Sequence, residues 1–538
     1  MFENKTLRTI FFIIVITAIG SYLAGLSIDV TRDAGKYATV SKEIFQNNNY
    51  INLTIHGNAY DQKPPMLFWL GALGFSIGTL SNFWFKFPVL ILVFLGFYWA
   101  FQLGKSLYNK RVGFLTATLL AFSFIYSLYS SDIHTDTPLQ VFVTLALWQL
   151  SEFIKTRKTI HWIFGFIGIG LAMLTKGPIG GAIPAFAVIG HILLKKDFKF
   201  LYDYRWFAGI ALALLVASPA LIGLMNQFGW KGIWFFFWEN NVGRITGSYV
   251  QAINDPFFYV HNLLYLFLPW SLLFYISAFF EFKMLIKNRF RSTEYFTLTG
   301  IWIYFIVINA ASSQLPNYIF IIIPLIAVLT AKWIDIALDE KEKILRIFNR
   351  TQNVVVLVIW VLILAIIFYL FPPPQWYFWI IISVGLLLTF FVFAKTKNAF
   401  AKLILPSVIA ITCLTFLLNT HVLPYIFSFQ APPKAARYFT NNAEPGDKLY
   451  NYKYDQYELF FYSEPQASQI NKNDKLEEII KTGTWIFTNP NGLDTLNMMN
   501  IKPDTVIEYQ HLYLNRPGNF LNPGTREETL QPMYLIKY

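Results

Sequence analysis

Candidate catalytic and ligand-binding residues lie in a few short polar stretches between long apolar segments. The longest such stretch runs from Asp29 to Pro65 and closes with Tyr60-Asp-Gln-Lys-Pro-Pro65. Two prolines would begin or redirect the next helix, so Lys63 is held at that point and could bind a phosphate. A carboxylate such as Asp33 could orient or deprotonate an acceptor hydroxyl. These residue types indicate transfer from a phosphate-bearing donor.

Further polar residues that could join this chemistry lie in four later loops. The loops are Asp132-Ile-His-Thr-Asp136, Leu174-Thr-Lys-Gly-Pro178, Trp238-Glu-Asn-Asn-Val-Gly-Arg244 and Ser312-Ser-Gln-Leu-Pro-Asn-Tyr318. Arg244 could share a phosphate with Lys63. Within the first loop, Lys36 and Asp61 are further candidates, and Lys176 is another.

Each of these residues also has a purely structural interpretation. Asp33 and Arg244 could be solvated surface residues, and Lys63 could anchor its helix to lipid headgroups. Lys176 could serve only to balance a helix end. Another set could bind a divalent metal or could form a polar loop that caps the next helix: Asp132, His134 and Asp136.

The amino-acid composition limits the fold class that can hold these residues in place. Of 538 residues, 55% are hydrophobic and 14% are charged, whereas soluble chains carry roughly 25% charged residues. This excludes a cytosolic or disordered protein, and the long continuous apolar runs argue against a membrane barrel. The single cysteine, Cys413, excludes an intrachain disulfide and a thiolate metal cluster. The chain is predicted to be an α-helical polytopic membrane protein.

About 13 apolar segments are predicted to span the membrane. The first, Ile10–Ile28, is long enough to be an uncleaved helix rather than a signal peptide. The others are Trp84–Gly104, Gly113–Ser131, Pro138–Ile154, Ile160–Leu174, Pro178–Leu194, Trp206–Met225, Phe257–Phe279, Tyr295–Ala311, Asn317–Trp333, Val354–Phe371, Trp376–Ala394 and Leu403–Leu423. Met66–Leu80 is shorter and favours an interfacial or re-entrant helix.

The basic residues set the topology. If Met66–Leu80 does not cross, the short loops rich in lysine and arginine all fall on the side of the N-terminus, which is therefore cytoplasmic. The net charge of +12 is then a topology signal, and a nucleic-acid partner is excluded. All the candidate residues fall on the opposite side. There, Ala34–Phe45 has the spacing of a helix lying on the membrane surface.

An odd number of spans places the C-terminal segment outside the cytoplasm as well. We predict a membrane domain over residues 1–426, with a first outer loop over 29–83, and a small soluble α/β domain over 427–538. Pro432–Asn442 is predicted to be a helix. Strands are predicted at Lys448–Tyr452, Trp485–Thr488, Thr505–Tyr509 and Met533–Tyr538.

The first-loop motifs resemble those of the bacterial lipid A aminoarabinose transferases, within the GT-C glycosyltransferases that also include the dolichyl-phosphate-mannose protein mannosyltransferases. The resemblance rests on Asp33-Ala-Gly-Lys-Tyr-Ala-Thr-Val-Ser-Lys-Glu-Ile-Phe and Tyr60-Asp-Gln-Lys-Pro-Pro-Met-Leu-Phe-Trp69. Further motifs follow in the family's order: Leu174-Thr-Lys-Gly-Pro178, Asn-Val-Gly-Arg244, Phe267-Leu-Pro-Trp270 and Leu315-Pro-Asn-Tyr318.

The resemblance implies a GT-C fold, with interfacial helices in a periplasmic first loop and a periplasmic C-terminal domain in the bacterial inner membrane. It implies an inverting hexosyl- or pentosyltransferase that moves a sugar from undecaprenyl phosphate to lipid A, another glycolipid or a protein. The carrier-linked sugar is a substrate, no cofactor is certain, and a divalent metal could take part. Asp33 matches the catalytic aspartate. Lys63, Arg244 and Tyr318 match the donor-phosphate residues.

Two departures from the family pattern bear on the sugar and the acceptor. Relatives usually carry an acidic residue where Gln62 stands, and many carry a lysine where Gln314 stands. The absence of an acidic residue at position 62 weakens the assignment of an amino sugar as the transferred group. A polytopic transporter or lipid flippase is the alternative function, but it predicts ionisable residues near mid-bilayer and repeat symmetry, which the sequence lacks. A sensory membrane protein is a third alternative, and it leaves the charged cluster unexplained.

Overall fold

The chain is described by a computed structural model with mainly helical architecture. The described residues are 5–241, 243, 246–247, 255–292, 294–339, 341–373, 375–454, 456–471, 476–499, 501–514 and 518–538.

The membrane portion consists of helices of very different lengths. They are Lys5–Leu26, Arg32–Asn47, Met66–Ile77, Asn82–Leu107, Lys110–Ala121, Phe124–Ser131, Asp136–Thr156, Thr159–Lys176, Ile179–Lys195, Phe198–Leu201, Arg205–Phe228, Trp230–Trp234, Phe258–Leu266, Ser271–Lys287, Phe296–Ala310, Ile323–Asp339, Glu342–Ala365, Trp376–Lys395, Ala399–Leu417 and Leu423–Phe427. Short π or 3-10 turns at Phe235–Glu239, Pro316–Ile322, Ile366–Leu370 and Leu418–Val422 adjoin some of them.

Eight helical stretches in the described part of the chain are long and apolar enough to cross a membrane. A ninth is formed if Lys110–Ala121 and Phe124–Ser131, which meet at an angle of 50°, count as one bent span. Ile179–Lys195 and Phe296–Ala310 are apolar but shorter, although each coincides with a predicted span. The multi-span helical fold is confirmed, and the count of about 13 stays a prediction.

The predicted continuous span Phe257–Phe279 is wrong, because the chain breaks between Phe258–Leu266 and Ser271–Lys287. Pro269 cannot donate a helical hydrogen bond and interrupts the helix. Backbone groups freed at membrane depth need partners inside the protein. Cross-helix hydrogen bonds supply them: Phe124 N–H to the Leu268 carbonyl at 2.9 Å, Trp270 Nε1 to the Phe122 carbonyl at 3.1 Å, and Gln352 Nε2 to the Pro269 carbonyl at 2.9 Å.

The first loop folds into two helices and a small hairpin. Its Arg32–Asn47 helix covers the predicted segment, and a hairpin of β1 (Thr54–Ile55) and β2 (Asn58–Ala59) follows it. The Met66–Ile77 helix has 12 residues, about 18 Å of rise, which is too short for a hydrocarbon core about 30 Å thick. It therefore fits the expected interfacial or re-entrant segment.

The C-terminal segment forms a five-stranded sheet with the order β4-β3-β5-β7-β6. The strands are β3 (Lys448–Tyr452), β4 (Ser468–Gln469), β5 (Thr484–Thr488), β6 (Thr505–His511) and β7 (Gln531–Lys537), and the helices are Ala431–Asn442, Glu458–Tyr462, Leu476–Ile479, Pro490–Asn497 and Gly518–Leu521. The pairs β3–β4 and β3–β5 are parallel, and β5–β7 and β6–β7 are antiparallel. Trp485 and Phe487 pack on one face and Ile486 on the other, as strand alternation requires. The four predicted strands are present, while β4 is too short for a sequence pattern.

The Arg32–Asn47 helix packs against the C-terminal domain and buries the charged side chain of Lys42 there. The Lys42 side chain is 1% exposed, and its ammonium ion donates to the Phe460, Phe461 and Ser463 carbonyls at 3.4, 3.3 and 2.6 Å. These carbonyls end the Glu458–Tyr462 helix, where a cation is favourable.

Two further contacts join the first loop to the same domain. Glu43 accepts a hydrogen bond from Gln466 Nε2 at 3.0 Å, and Arg437 forms an ion pair with Asp29. The charged residues Asp29, Lys42 and Glu43 of the first loop are therefore docking contacts. Their partners lie more than 400 residues away, which local periodicity cannot reveal.

We expect Lys42→Met to weaken this docking. Methionine keeps the apolar stem but leaves buried carbonyls unsatisfied, at a cost of roughly 1–3 kcal/mol each. The melting temperature of the purified protein should fall, and proteases should cleave faster near residues 427–431. The exposed Lys434 provides the control, since Lys434→Met should change neither measurement. Equal stability of the two variants would contradict a docking role.

Candidate active site

A cavity of about 110 Å³ collects polar side chains from five distant parts of the chain. We call it the lysine cavity, because Lys63 and Lys176 line it together with Asp136 and Tyr318. Lys63 precedes the Met66–Ile77 helix, Lys176 ends the Thr159–Lys176 helix, and Asp136 begins the Asp136–Thr156 helix. Tyr318 lies in the 3-10 turn Pro316–Ile322. Asn240 and Asn241 also line the cavity, so all four predicted polar loops meet the end of the first loop.

Asp136 is the most tightly held of these side chains. It is 2% exposed and accepts hydrogen bonds from Lys176 Nζ at 2.6 and 2.8 Å and from Asn317 Nδ2 at 2.7 Å. The Lys176 ammonium ion also lies 4.4 Å from the centre of the Tyr318 ring. Asp136 thus holds Lys176, and Lys63 is the second ammonium group of the described lining.

The rest of the lysine cavity is apolar on one side. Tyr304, Val307, Ile308 and Ala311 line it from one face of the Phe296–Ala310 helix and the residue after it, at the i, i+3, i+4 and i+7 spacing of a helical stripe. Leu139 and Ile179 add to this wall. A cavity with a cationic end and an apolar wall suits an amphiphile that carries a phosphate.

A second cavity of about 290 Å³ lies between the membrane portion and the C-terminal domain. We call it the aspartate cavity, because Asp33 and Asp132 line it. Arg32, Thr31 and His134 join them, and Gln430, Gln456, Glu458 and Leu514 come from the C-terminal side. Asp33 is solvent-exposed in the first turn of its helix, a favourable position for a carboxylate.

Asp132 and His134 form a linked pair in the aspartate cavity. Thr31 Oγ1 donates to Asp132 at 2.6 Å, and His134 Nε2 lies 3.3 Å from Asp132. Burial by itself would lower the pKa of His134, but the charge and hydrogen bond of Asp132, together with the charges of Asp33 and Asp136, raise it. Burial likewise opposes ionisation of Asp132, yet His134 and Thr31 bring its pKa below the usual value. The pair therefore favours its charged form.

The predicted acidic loop contributes to both cavities. Asp136 faces the lysine cavity, whereas Asp132 and His134 face the aspartate cavity. Asp33 and Lys63 consequently line neighbouring cavities rather than one shared pocket. Among the described residues no group of three or more His, Cys, Asp or Glu side chains could hold a metal ion. The metal interpretation of this loop would thus need ligands from substrate or water.

The remaining candidates lie around Lys63. Lys36 Nζ donates to Gln62 Oε1, and Asn240 Nδ2 donates to the Gln62 carbonyl at 2.9 Å. Gln62 is thus a partner of Lys36. Asp61 lines a small pocket with Lys63, and burial raises its pKa. Arg244 lies outside the described residues.

Two site residues, Asn317 and Glu458, were not predicted individually from the sequence. Asn317 holds Asp136, and it stands inside the quoted Leu315-Pro-Asn-Tyr318 motif, so a signal was present. Glu458 lines the aspartate cavity from a segment without any motif. Nothing in the local sequence marks it.

We expect Asp136→Ala to destabilise the protein strongly. Removing one partner of a buried ion pair leaves the Lys176 charge without its carboxylate and costs about 3–5 kcal/mol. Thermal unfolding of the purified protein should show a clear fall in melting temperature. Glu342→Ala, which removes the exposed partner of Arg346 at 3.8 Å, should cost less than about 1 kcal/mol. Similar melting temperatures for both variants would be inconsistent with a structural Asp136–Lys176 pair.

Comparisons with known proteins agree with this architecture. Residues 62–222 match the family model described as dolichyl-phosphate-mannose-protein mannosyltransferase. An uncharacterized protein of Aquifex aeolicus is 27% identical over 466 residues, covering 82% of this chain and 84% of that protein. Undecaprenyl phosphate-alpha-4-amino-4-deoxy-L-arabinose arabinosyl transferase 2 of Proteus mirabilis is 25% identical over 365 residues. That match covers 66% of this chain and 65% of the transferase, just under two thirds of its length.

The fold is shared with a solved structure over almost its whole length. ArnT from Cupriavidus metallidurans, in its crystal structure bound to undecaprenyl phosphate, superposes with a TM-score of 0.73 at 15% identity. The superposition covers 98% of this chain and 97% of that one. In its architecture, over the matched residues 62–222 and across its curated relatives, the chain is similar to the GT-C membrane glycosyltransferases, the group that contains the protein mannosyltransferases and the aminoarabinose transferases.

Proposed function

We propose that this glycosyltransferase moves a sugar from undecaprenyl phosphate to an acceptor on the periplasmic face of the bacterial inner membrane. The acceptor is lipid A, another glycolipid or a protein. The observation that carries the proposal is the lysine cavity, where two ammonium groups and a tyrosine stand at the end of an apolar wall. A polyprenyl phosphate needs both features, one for its head and one for its tail.

On the donor side, Lys63 and Tyr318 hold the phosphate, and Lys176 adds positive charge beside them. As the bond between the anomeric carbon and the phosphate oxygen breaks, negative charge grows on the leaving phosphate. Lys63 stabilises that charge in a site with little water, where such an interaction is strong. The apolar stripe of Tyr304 and Ile308 receives the first isoprene units.

On the acceptor side, Asp33 accepts the proton of the acceptor hydroxyl as its oxygen attacks the anomeric carbon. One carbon–oxygen bond forms while the bond to the phosphate breaks, so a single displacement inverts the anomeric centre. The neighbouring lysine and aspartate cavities supply the phosphate site and the carboxylate from two sides. Arg244, in the same outer loop as Asn240 and Asn241, is proposed as a third phosphate ligand.

The membrane orientation follows from the basic loops. We propose a cytoplasmic N-terminus, a catalytic membrane domain over residues 1–426 and a periplasmic domain over 427–538. The lysine-rich short loops lie at the opposite helix ends from the candidate residues, as the positive-inside rule requires for this orientation.

The experiment compares the envelope of cells with and without the gene. Mass spectrometry of lipids and glycoproteins should show one added sugar that disappears on deletion and returns on complementation. Purified protein in vesicles should then transfer the sugar from a synthetic undecaprenyl phosphate sugar, with and without a chelator to test for metal. Flux of the carrier across vesicles without any glycoside product would instead establish a flippase and overturn the proposal.

A further inference from the structure

The C-terminal domain contributes an acidic residue to the aspartate cavity. Glu458 begins the short Glu458–Tyr462 helix, is 2% exposed and lines the cavity beside Asp33 and Arg32. Its Oε2 atom has no hydrogen-bond partner among the described residues. A buried carboxyl oxygen without a partner is costly unless a bound group completes it.

The position of Glu458 is fixed by close packing. A Cβ atom on Gly35 would come within 3.3 Å of both Cγ and the backbone nitrogen of Glu458, so the Arg32–Asn47 helix touches this residue directly. Lys42 holds the other end of the Glu458–Tyr462 helix through its carbonyls. Glu458 is therefore held in the wall of the cavity that Asp132 and His134 also line.

We propose that Glu458, in its neutral form, donates a hydrogen bond to an oxygen atom of the acceptor next to the hydroxyl that attacks. This assignment rests on the proposed function and concerns how the acceptor is held. The ligand is an oxygen-rich headgroup, because the same cavity offers the cationic side chains Arg32 and His134. Glu458 would then position the acceptor while Asp33 takes the proton.

The protonation state supports this role. Burial raises the pKa of Glu458 to about 7, so the group is a carboxylic acid with an O–H donor below that pH. Arg32 lowers the pKa and Asp33 raises it, each by less than burial does. The other titratable groups around the cavity are Asp132, His134 and the nearby Tyr454.

The test uses isolated envelope membranes that carry the native acceptor, with synthetic undecaprenyl phosphate sugar as donor and the full-length chain. Glu458→Gln preserves a donor group of similar size and should keep most of the transfer. Glu458→Ala removes the donor and should lower transfer about 10-fold. Undecaprenyl phosphate alone should bind both purified variants as it binds the unmodified protein. Glu477→Ala is the matched control, since that residue is exposed on the short Leu476–Ile479 helix and does not line the cavity, and its transfer should be unchanged.

A pH series supplies the second readout. Transfer by the unmodified chain should fall as the pH rises through about 7, because the acid loses its donor, and Glu458→Gln should remove this dependence. Normal transfer by Glu458→Ala, or a Gln variant as inactive as the Ala variant, would overturn the assignment. If the unmodified protein neither binds undecaprenyl phosphate nor makes a glycoside, it is the proposed function that fails.

Discussion

Replacing Lys63 by alanine is expected to lower sugar transfer about 10²- to 10³-fold, the usual loss when one stabilising group at a developing charge is removed. Lys63 is one of the two ammonium groups that line the lysine cavity, and Asp136 holds the other, Lys176. The variant should also bind undecaprenyl phosphate more weakly, since the carrier's phosphate loses a cation in its ground state as well. Both quantities can be measured on purified protein, by native mass spectrometry for binding and by product formation for transfer.

The control for this substitution is Lys195→Ala. Lys195 donates to the Ser292 carbonyl at 2.8 Å, at the end of the helix that is predicted to be cytoplasmic. Its removal should leave transfer and carrier binding unchanged. If Lys63→Ala transferred sugar normally, the lysine cavity would not be the donor site.

Replacing Asp33 by asparagine is expected to lower transfer about 10²- to 10⁴-fold, the range for loss of a general base. Asparagine keeps the shape and the hydrogen-bonding capacity of the side chain but cannot accept a proton. Asp33 lines the aspartate cavity and not the lysine cavity. The variant should therefore bind undecaprenyl phosphate with unchanged affinity, and the loss should appear in kcat.

This separation of binding from turnover distinguishes the two substitutions. Lys63→Ala should change both, whereas Asp33→Asn should change turnover alone. Asp197→Asn, which breaks the exposed pair with Arg157 at 3.0 Å, should change neither. A large loss of carrier binding in Asp33→Asn would place this carboxylate on the donor phosphate and contradict its role as base.

Much of the membrane fold could be predicted from the sequence, because apolar runs separated by charged loops follow directly from the cost of burying charge in lipid. The short Met66–Ile77 helix and four of the five strands of the C-terminal sheet were predicted from run length and alternation. The break at Pro269 was not, since its stabilising hydrogen bonds come from helices far along the chain.

The residues that belong to the candidate site could be predicted better than their arrangement in space. Lys63, Lys176 and Tyr318 come from loops that the sequence assigned to one side, and they line one cavity. The division into two cavities depends on where the C-terminal domain docks. That docking depends on hydrogen bonds from Lys42 to carbonyl groups far along the chain, so no local sequence pattern could indicate it. Glu458 could not be predicted for the same reason.

The Asp132–Asp136 loop has a consequence for the order of events in a catalytic cycle. It touches Lys176 on one side and Thr31 on the other, so a phosphate that draws Lys176 away from Asp136 would pull on the wall of the second cavity. Occupancy of one cavity would then alter affinity in the other, and thermodynamic linkage makes such an influence reciprocal. Binding of the sugar-loaded carrier in the lysine cavity would raise the affinity of the aspartate cavity for the acceptor. Departure of the spent carrier would lower the affinity for the glycosylated product and favour its release.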